Sequence, residues 1–139
     1  MHFQKTDIRK SGGILIHDRK LLICKSDHND FFVAPGGKLE GNETAQQSLV
    51  RELKEECNID TQESDFEYFD ILYAQAAGNE LKRVQMEVFI VKKWEGEPQL
   101  TKDTEQFLWI DSNIQQGIKV GSIFEHEVIP RLKKLNLID

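Results

Sequence analysis

The chain is short of cysteine, of proline and of long hydrophobic runs, and each shortage excludes something. Two cysteines in 139 residues, Cys24 and Cys57, cannot build a disulfide framework. Both stand among apolar neighbours and read as small buried hydrophobes. Three prolines, with no Pro/Ser-rich tract, internal repeat or low-complexity segment, leave no sign of an interdomain linker. No segment approaches the ~20 apolar residues that span a bilayer. The first residues, Met1-His2-Phe3-Gln4-Lys5, are not the apolar core of a signal peptide. A basic excess is also missing: the net charge of −6 gives no footprint for long nucleic acid. The four histidines (His2, His17, His28 and His126) are scattered without zinc spacing. The expectation is a reduced, cytoplasmic protein forming one domain over residues 1–139. A chain of this size buries about 70% of its unfolded surface, enough for a real core.

The pattern of apolar residues gives an element order. Residues 12–17 and 20–25 form a strand pair around Asp18-Arg19. Phe31-Phe32-Val33-Ala34 is a short strand stopped by Pro35-Gly36-Gly37. A helix is predicted over about Thr44 to Cys57. Strands follow at Phe66 to Ala74 and Val84 to Trp94, joined by a turn at Ala77-Gly78-Asn79-Glu80, and another at Phe107 to Ile110. Ser122-Ile123-Phe124-Glu125 has the form of a capping box ahead of a second helix. Strands, helix, strands, helix imply an α/β (α+β) fold with a mixed sheet and helices packed against it.

The first helix carries the chemistry. Leu49, Leu53 and Cys57 recur at i, i+4 and i+8 and form its core stripe. Glu52, Glu55 and Glu56 adjoin one another on another face, where like charges four apart cost a few tenths of a kcal/mol. Such a face is either solvated or gathered around a cation. The loop ahead of it adds Gly36 and Gly37, which let backbone approach a ligand or simply make a turn. Glu43 stands at the start of the helix, where a carboxylate suits the dipole. Arg51, roughly two turns later, can reach back toward the loop.

Gly37-x5-Glu43-x7-Arg51-Glu52-Leu53-x-Glu55-Glu56 resembles the signature of the Nudix hydrolases. Six fixed positions at roughly 7% usage each recur by chance about once in ten million windows. The signature normally closes on glycine and an aliphatic residue; here Asn58-Ile59 stands there, and Asn is the residue best able to replace glycine at a left-handed helix exit. The resemblance implies a Nudix-type α/β/α sandwich, its mixed sheet between helices. It implies hydrolysis, with Mg²⁺ or Mn²⁺, of a nucleoside diphosphate linked to another moiety. Glu52, Glu55, Glu56 and the Gly36 carbonyl would hold metal, while Gly37, Glu43 and Arg51 would tie loop to helix. Glu105, ahead of Phe107, is either a further metal ligand or base, or a surface charge. Lys25 and Lys38 either face phosphate or are solvent-exposed; His28 and Asn29 lie on a loop near the expected path of a base or sugar. The proline that marks ADP-ribose enzymes is absent downstream. A (d)NTP giving NMP and pyrophosphate is therefore the expected reaction, with a catalytically silent nucleotide-binding regulatory domain as the alternative. Expected partners are a small nucleotide and a second copy in a homodimer, with no long nucleic acid and no membrane.

Overall fold

The computed structural model of the chain describes residues 6–26, 28–75 and 81–139. The turn expected at 77–80 lies outside them. The elements are β1 (Thr6–Ile14), β2 (Ile16–His17), β3 (Lys20–Lys25), β4 (Gly36–Lys38), α1 (Ala45–Cys57), β5 (Phe66–Gln75), β6 (Lys82–Val91), β7 (Gln106–Ile110) and α2 (Ile129–Lys134). A 3-10 turn at Glu63–Asp65 precedes β5, and a π-helical turn at Phe124–Val128 leads into α2.

The strands form two sheets. One is mixed, in the order β4-β1-β6-β5, with β1 and β6 parallel and the other pairs antiparallel. The other is antiparallel, in the order β2-β3-β7. The chain passes between them at Leu15, whose carbonyl accepts from Leu22 N at 2.9 Å. Asp18 and Arg19 turn the β2–β3 hairpin with φ of 51° and 62°. Two successive left-handed residues are the turn whose twist matches that of flanking strands.

Successive residues of a strand face opposite sides, and here both sides are covered. Leu22, Phe89 and Val91 meet Leu49, Leu53 and Cys57 of α1. Leu21, Ile23 and Val88 meet Phe124, Val128, Ile129 and Leu132 on the opposite layer. Helices therefore sandwich the sheets, and the predicted stripe of α1 is its buried stripe. Cys24 and Cys57 are buried free thiols.

Three expectations are corrected. Residues 31–34 form only isolated bridges, Cys24 to Val33 and Phe32 to Val120, because each flanking segment offers a single pairing residue. The strand expected to reach Trp94 ends at Val91, since its partner β5 begins at Phe66, opposite Val91. The capping box at Ser122–Glu125 is not made. Ser122 is already helical, and Glu125 N donates to the Gly121 carbonyl at 3.0 Å instead. The π turn stands directly before Pro130, which has no N–H to give; Ile129 N reaches back to the Phe124 carbonyl.

α1 itself starts and stops as its sequence dictates. Thr44 is the N-cap, in a reciprocal capping box with Gln47. Asn58 ends the helix at φ 55°, ψ 38°, its N–H donating to the Leu53 and Lys54 carbonyls. This left-handed conformation costs most residues with a Cβ about 1–2 kcal/mol and costs Asn less. Asn58→Ala should therefore lower stability by about 1 kcal/mol, while Asn58→Gly stays within a few tenths. Urea unfolding midpoints of the three proteins test this; equal loss in both variants would locate the effect in the Asn58 Nδ2 to Gln99 Oε1 bond instead.

Candidate active site

Proline 35 delivers the chain into β4, which pairs with the middle of β1 through Gly36 and Gly37. Close approach requires glycine at 36, and at 37 a side chain would push the Glu52 carboxylate aside. Gly36 has φ +139°, and a Cβ there would lie 2.1 Å from the Ser11 carbonyl oxygen. A Cβ on Gly37 would lie 2.7 Å from Glu52 Oε1. The glycine turn is thus pressed between β1 and the acidic face of α1. Behind it, Ser11 Oγ and Ser48 Oγ share a buried hydrogen bond of 3.1 Å that joins strand to helix.

Arg51 organises the acidic face. Its Nε and Nη2 donate to the two oxygens of Glu43 at 2.7 and 2.9 Å. Its Nη1 donates to Glu52 Oε1 at 2.9 Å and Glu55 Oε2 at 3.2 Å, and Nη2 also reaches the Lys38 carbonyl at 3.2 Å. Glu43 lies one residue before the N-cap rather than in the first turn, so Arg51, more than the helix dipole, is its partner. That guanidinium, helped by the Glu40 amide, holds the Glu43 carboxyl down at about 2. Part of the positive charge expected among the glutamates is therefore supplied by the chain itself.

Glu56 is different. It has no cationic partner among the described residues, and its Oε1 accepts from Gly36 N at 2.8 Å. Burial pushes its carboxyl up to about 8, against the pull of that amide and with Glu52, Asp103 and Glu55 adding to the push. Burial also raises Glu52, with Arg51 opposing it. A buried carboxylate without a counter-charge is costly, and a bound cation is one remedy.

The donor set fits a divalent cation. Glu52 Oε2, Glu55 Oε1 and Glu56 Oε2 are hard oxygens with no hydrogen-bond partner among the described residues, one on each glutamate. No three acidic, His or Cys groups among the described residues enclose a metal unaided. Mg²⁺ accepts that arrangement, since it keeps waters and substrate oxygens as ligands.

A loop from the other side closes the site. Gln99 N donates to the Cys57 carbonyl at 2.9 Å, Thr101 Oγ1 to that of Glu55 at 2.7 Å, and Thr104 Oγ1 to that of Glu56 at 2.9 Å. These bonds satisfy carbonyls that a helix end leaves open, and they bring Asp103 to the cavity that Glu56 lines. The sequence reading named Glu105 on this loop and missed Asp103. The Glu105 N–H donates to the Lys25 carbonyl at 2.8 Å, and its carboxylate lies 3.7 Å from Nζ of Lys25, a lysine that lines the same cavity. Asp103 carried only a weak signal, a carboxylate flanked by Thr101 and Thr104.

The cavity measures about 320 Å³ and is lined by Gly36, Gly37, Glu56, Asp103, Lys25 and Asn29 among others. It runs into a more apolar hollow of about 160 Å³ walled by Val84, Met86, Ile123 and Phe124. Lys10, Phe31, Val33, Ala34 and Met86 border both. Phe31 is on the rim, whereas Phe32 is core. Lys38 and His28 are exposed and line neither hollow.

Comparison with known proteins agrees with this geometry. The family profile of the NUDIX domain matches residues 8–116. An 8-oxo-dGTP diphosphatase of Proteus vulgaris is 35% identical over 88 residues, which cover 63% of this chain and 71% of that protein. An ADP-ribose pyrophosphatase of Methanocaldococcus jannaschii is 42% identical over 50 residues, covering 34% of this chain and 30% of that protein. The solution structure of the E. coli ORF135 protein superposes with a TM-score of 0.73 at 22% identity, over 97% of this chain and 96% of that one. The chain belongs to the NUDIX family. Within it, the chain is a MutT-like hydrolase.

The burial of Glu56 has a thermodynamic consequence. Its folded pKa lies above the ordinary 4.5, so the folded metal-free protein holds this proton more tightly than the unfolded chain does. That contribution to stability is complete below pH 4.5 and is lost as pH rises through about 8. In EDTA, the melting temperature of the native protein should fall more between pH 5 and pH 9 than that of Glu56→Gln, and excess Mg²⁺ should restore only the native protein. Parallel curves for the two proteins would show that Glu56 is not the strained group.

Proposed function

We propose that the chain hydrolyses a pyrophosphate bond in a nucleoside diphosphate linked to another moiety, with a (d)NTP giving NMP and pyrophosphate as the substrate class. The whole chain, residues 1–139, acts as one domain in this reading. The observation that carries it is the meeting of three things in one cleft: the half-free Glu56 carboxylate of α1, the Gly36-Gly37 turn, and an adjoining apolar hollow. The first two suit phosphates and the last suits a base.

Glu52, Glu55 and Glu56 would hold Mg²⁺ or Mn²⁺, with the Gly36 carbonyl as a further oxygen and Asp103 and Glu105 as the carboxylates of the facing loop. When bound, the metal polarises phosphoryl oxygens and lowers the pKa of a bound water. The protein residues do the rest. Arg51 holds Glu52 and Glu55 in place through its fork of donors. Gly36 N–H orients Glu56. Glu56, whose carboxyl burial raises to about 8, is placed to take a proton from the attacking water. Lys25 lines the phosphate end and offers a cation there. The 8-oxo-dGTP diphosphatase relative supports a nucleoside triphosphate, and the shorter match to an ADP-ribose pyrophosphatase supports the wider class of nucleotide anhydrides.

The test is release of pyrophosphate from a panel of dNTPs, ADP-ribose and dinucleoside polyphosphates in Mg²⁺. Glu56→Gln should lower kcat by about 100-fold or more while circular dichroism stays native. Turnover equal to that of the native protein would sink the assignment. Tight nucleotide binding without hydrolysis by the native protein would establish a silent binding domain instead.

A further inference from the structure

The two hollows of the cleft share one cation, Lys10, and nothing among the described residues pairs with it. Lys10 lies in the middle of β1, opposite Lys38 of β4 and Met86 of β6. Its neighbour Ser11 points toward α1, where it meets Ser48. Alternation along the strand therefore sends Lys10 to the other face, where it borders both the phosphate end and the apolar hollow.

Among the described residues its ammonium makes no hydrogen bond and no ion pair. Burial, together with the like charge of Lys38, holds it below the ordinary lysine value. A half-buried ammonium has three donors, no acceptor and a desolvation cost that only a partner offsets. Lys25, the other lysine of the cleft, already faces Glu105 at 3.7 Å. The partner of Lys10 therefore comes with the ligand.

Its position decides which part of the ligand. The phosphate end is fixed by Gly36, Gly37 and Glu56. The hollow beyond Lys10 is small, and Val84, Met86, Ile123 and Phe124 are among the apolar side chains of its wall. That is a surface for a flat heterocycle rather than for a polyanion. We propose that Lys10 reads the nucleobase, selecting nucleotides whose base turns a carbonyl oxygen toward β1 over those that turn an amino group there. A guanine-type edge offers two adjacent acceptors, O6 and N7; adenine puts an amino donor at the same place, against a group that can only donate. The inference rests on the nucleotide hydrolase reading above.

The experiment compares the native protein with Lys10→Met and Lys10→Gln on dGTP, dITP and dATP in Mg²⁺. In parallel, dGMP and dAMP are titrated into the metal-free proteins by calorimetry. Removing an unpaired half-buried charge in favour of an isosteric apolar chain should leave the melting temperature level or higher. Gln, which keeps a donor, serves as the second variant. The native protein should favour keto over amino bases by about tenfold or more in kcat/KM, and the same order should appear in Kd. Lys10→Met should collapse that ratio, and Lys10→Gln should retain part of it. A ratio unchanged in Lys10→Met, whether all substrates weaken together or none does, overturns the proposal and leaves Lys10 a phosphate contact or a bystander. A native protein that hydrolyses nucleotides without base preference overturns it too, with the hydrolase reading intact. A native protein that hydrolyses none in Mg²⁺ overturns the hydrolase reading. Equal metal-free Kd values for dGMP and dAMP would then overturn base reading as well.

Discussion

One guanidinium makes the acidic helix tenable. Arg51 spends all three of its nitrogens on Glu43, Glu52, Glu55 and the Lys38 carbonyl, at 2.7 to 3.2 Å. Without it, carboxylates on adjoining turns would repel one another and the 38–43 segment would have little to hold it against α1. Arginine suits the task because its donors form a rigid planar fork and its charge is never lost. A lysine at the same position would neutralise one carboxylate and leave the geometry of the others free. The clamp also has a limit. It reaches Glu52 and Glu55 by one oxygen each and does not reach Glu56, so the unbalanced charge of the helix is concentrated at its most buried carboxylate. Fold stability and site electrostatics thus separate at a single side chain: Arg51 secures the scaffold, and Glu56 is left in need of a cation.

The opposite end of the same helix is secured without charge. The carbonyls of Glu55, Glu56 and Cys57, which would otherwise face solvent, receive Thr101 Oγ1, Thr104 Oγ1 and Gln99 N. One of these three carbonyls belongs to Glu56, whose carboxylate lines the cleft. The 99–105 loop is therefore registered directly against the backbone of the acidic face, and Asp103 stands opposite Glu56 because its flanking threonines hold it there. A shift of this loop would alter the spacing between helix and loop carboxylates before it disturbed any core contact.

What was legible in the sequence was what depends on near neighbours. The extent of α1, its Leu49/Leu53/Cys57 stripe and the Asn58 exit follow from periodicity and capping, which are local rules. The Arg51–Glu43 tie was legible because two helical turns bring the residues close. Strand limits were not, because a strand ends where its partner ends: Val91 stops β6 only because Phe66 starts β5. The place of Asp103 was not legible either, since it depends on Thr101 and Thr104 donating to carbonyls of α1 more than forty residues earlier. Lys10 was the least visible. In the run Asp7-Ile8-Arg9-Lys10 it reads as one more surface charge, and only the order β4-β1-β6 puts it in the middle of a sheet.

The net charge of −6 sharpens the electrostatic question, because phosphate substrates are anions and the chain as a whole repels them. At physiological ionic strength, charges beyond about 8 Å of solvent are largely screened, so the overall sign matters less than the lining of the cleft. There the balance differs from the surface average. Lys10 and Lys25 border the hollow that Glu56 and Asp103 also line, and Glu105 engages Lys25 from outside. Because burial keeps the proton on Glu56 near neutral pH, the two lysines already outweigh the acidic lining before any metal enters, in a recess where solvent screens poorly. A divalent cation taking the place of that proton would make the recess more positive still without changing the rest of the surface, and would so strengthen attraction for a polyphosphate.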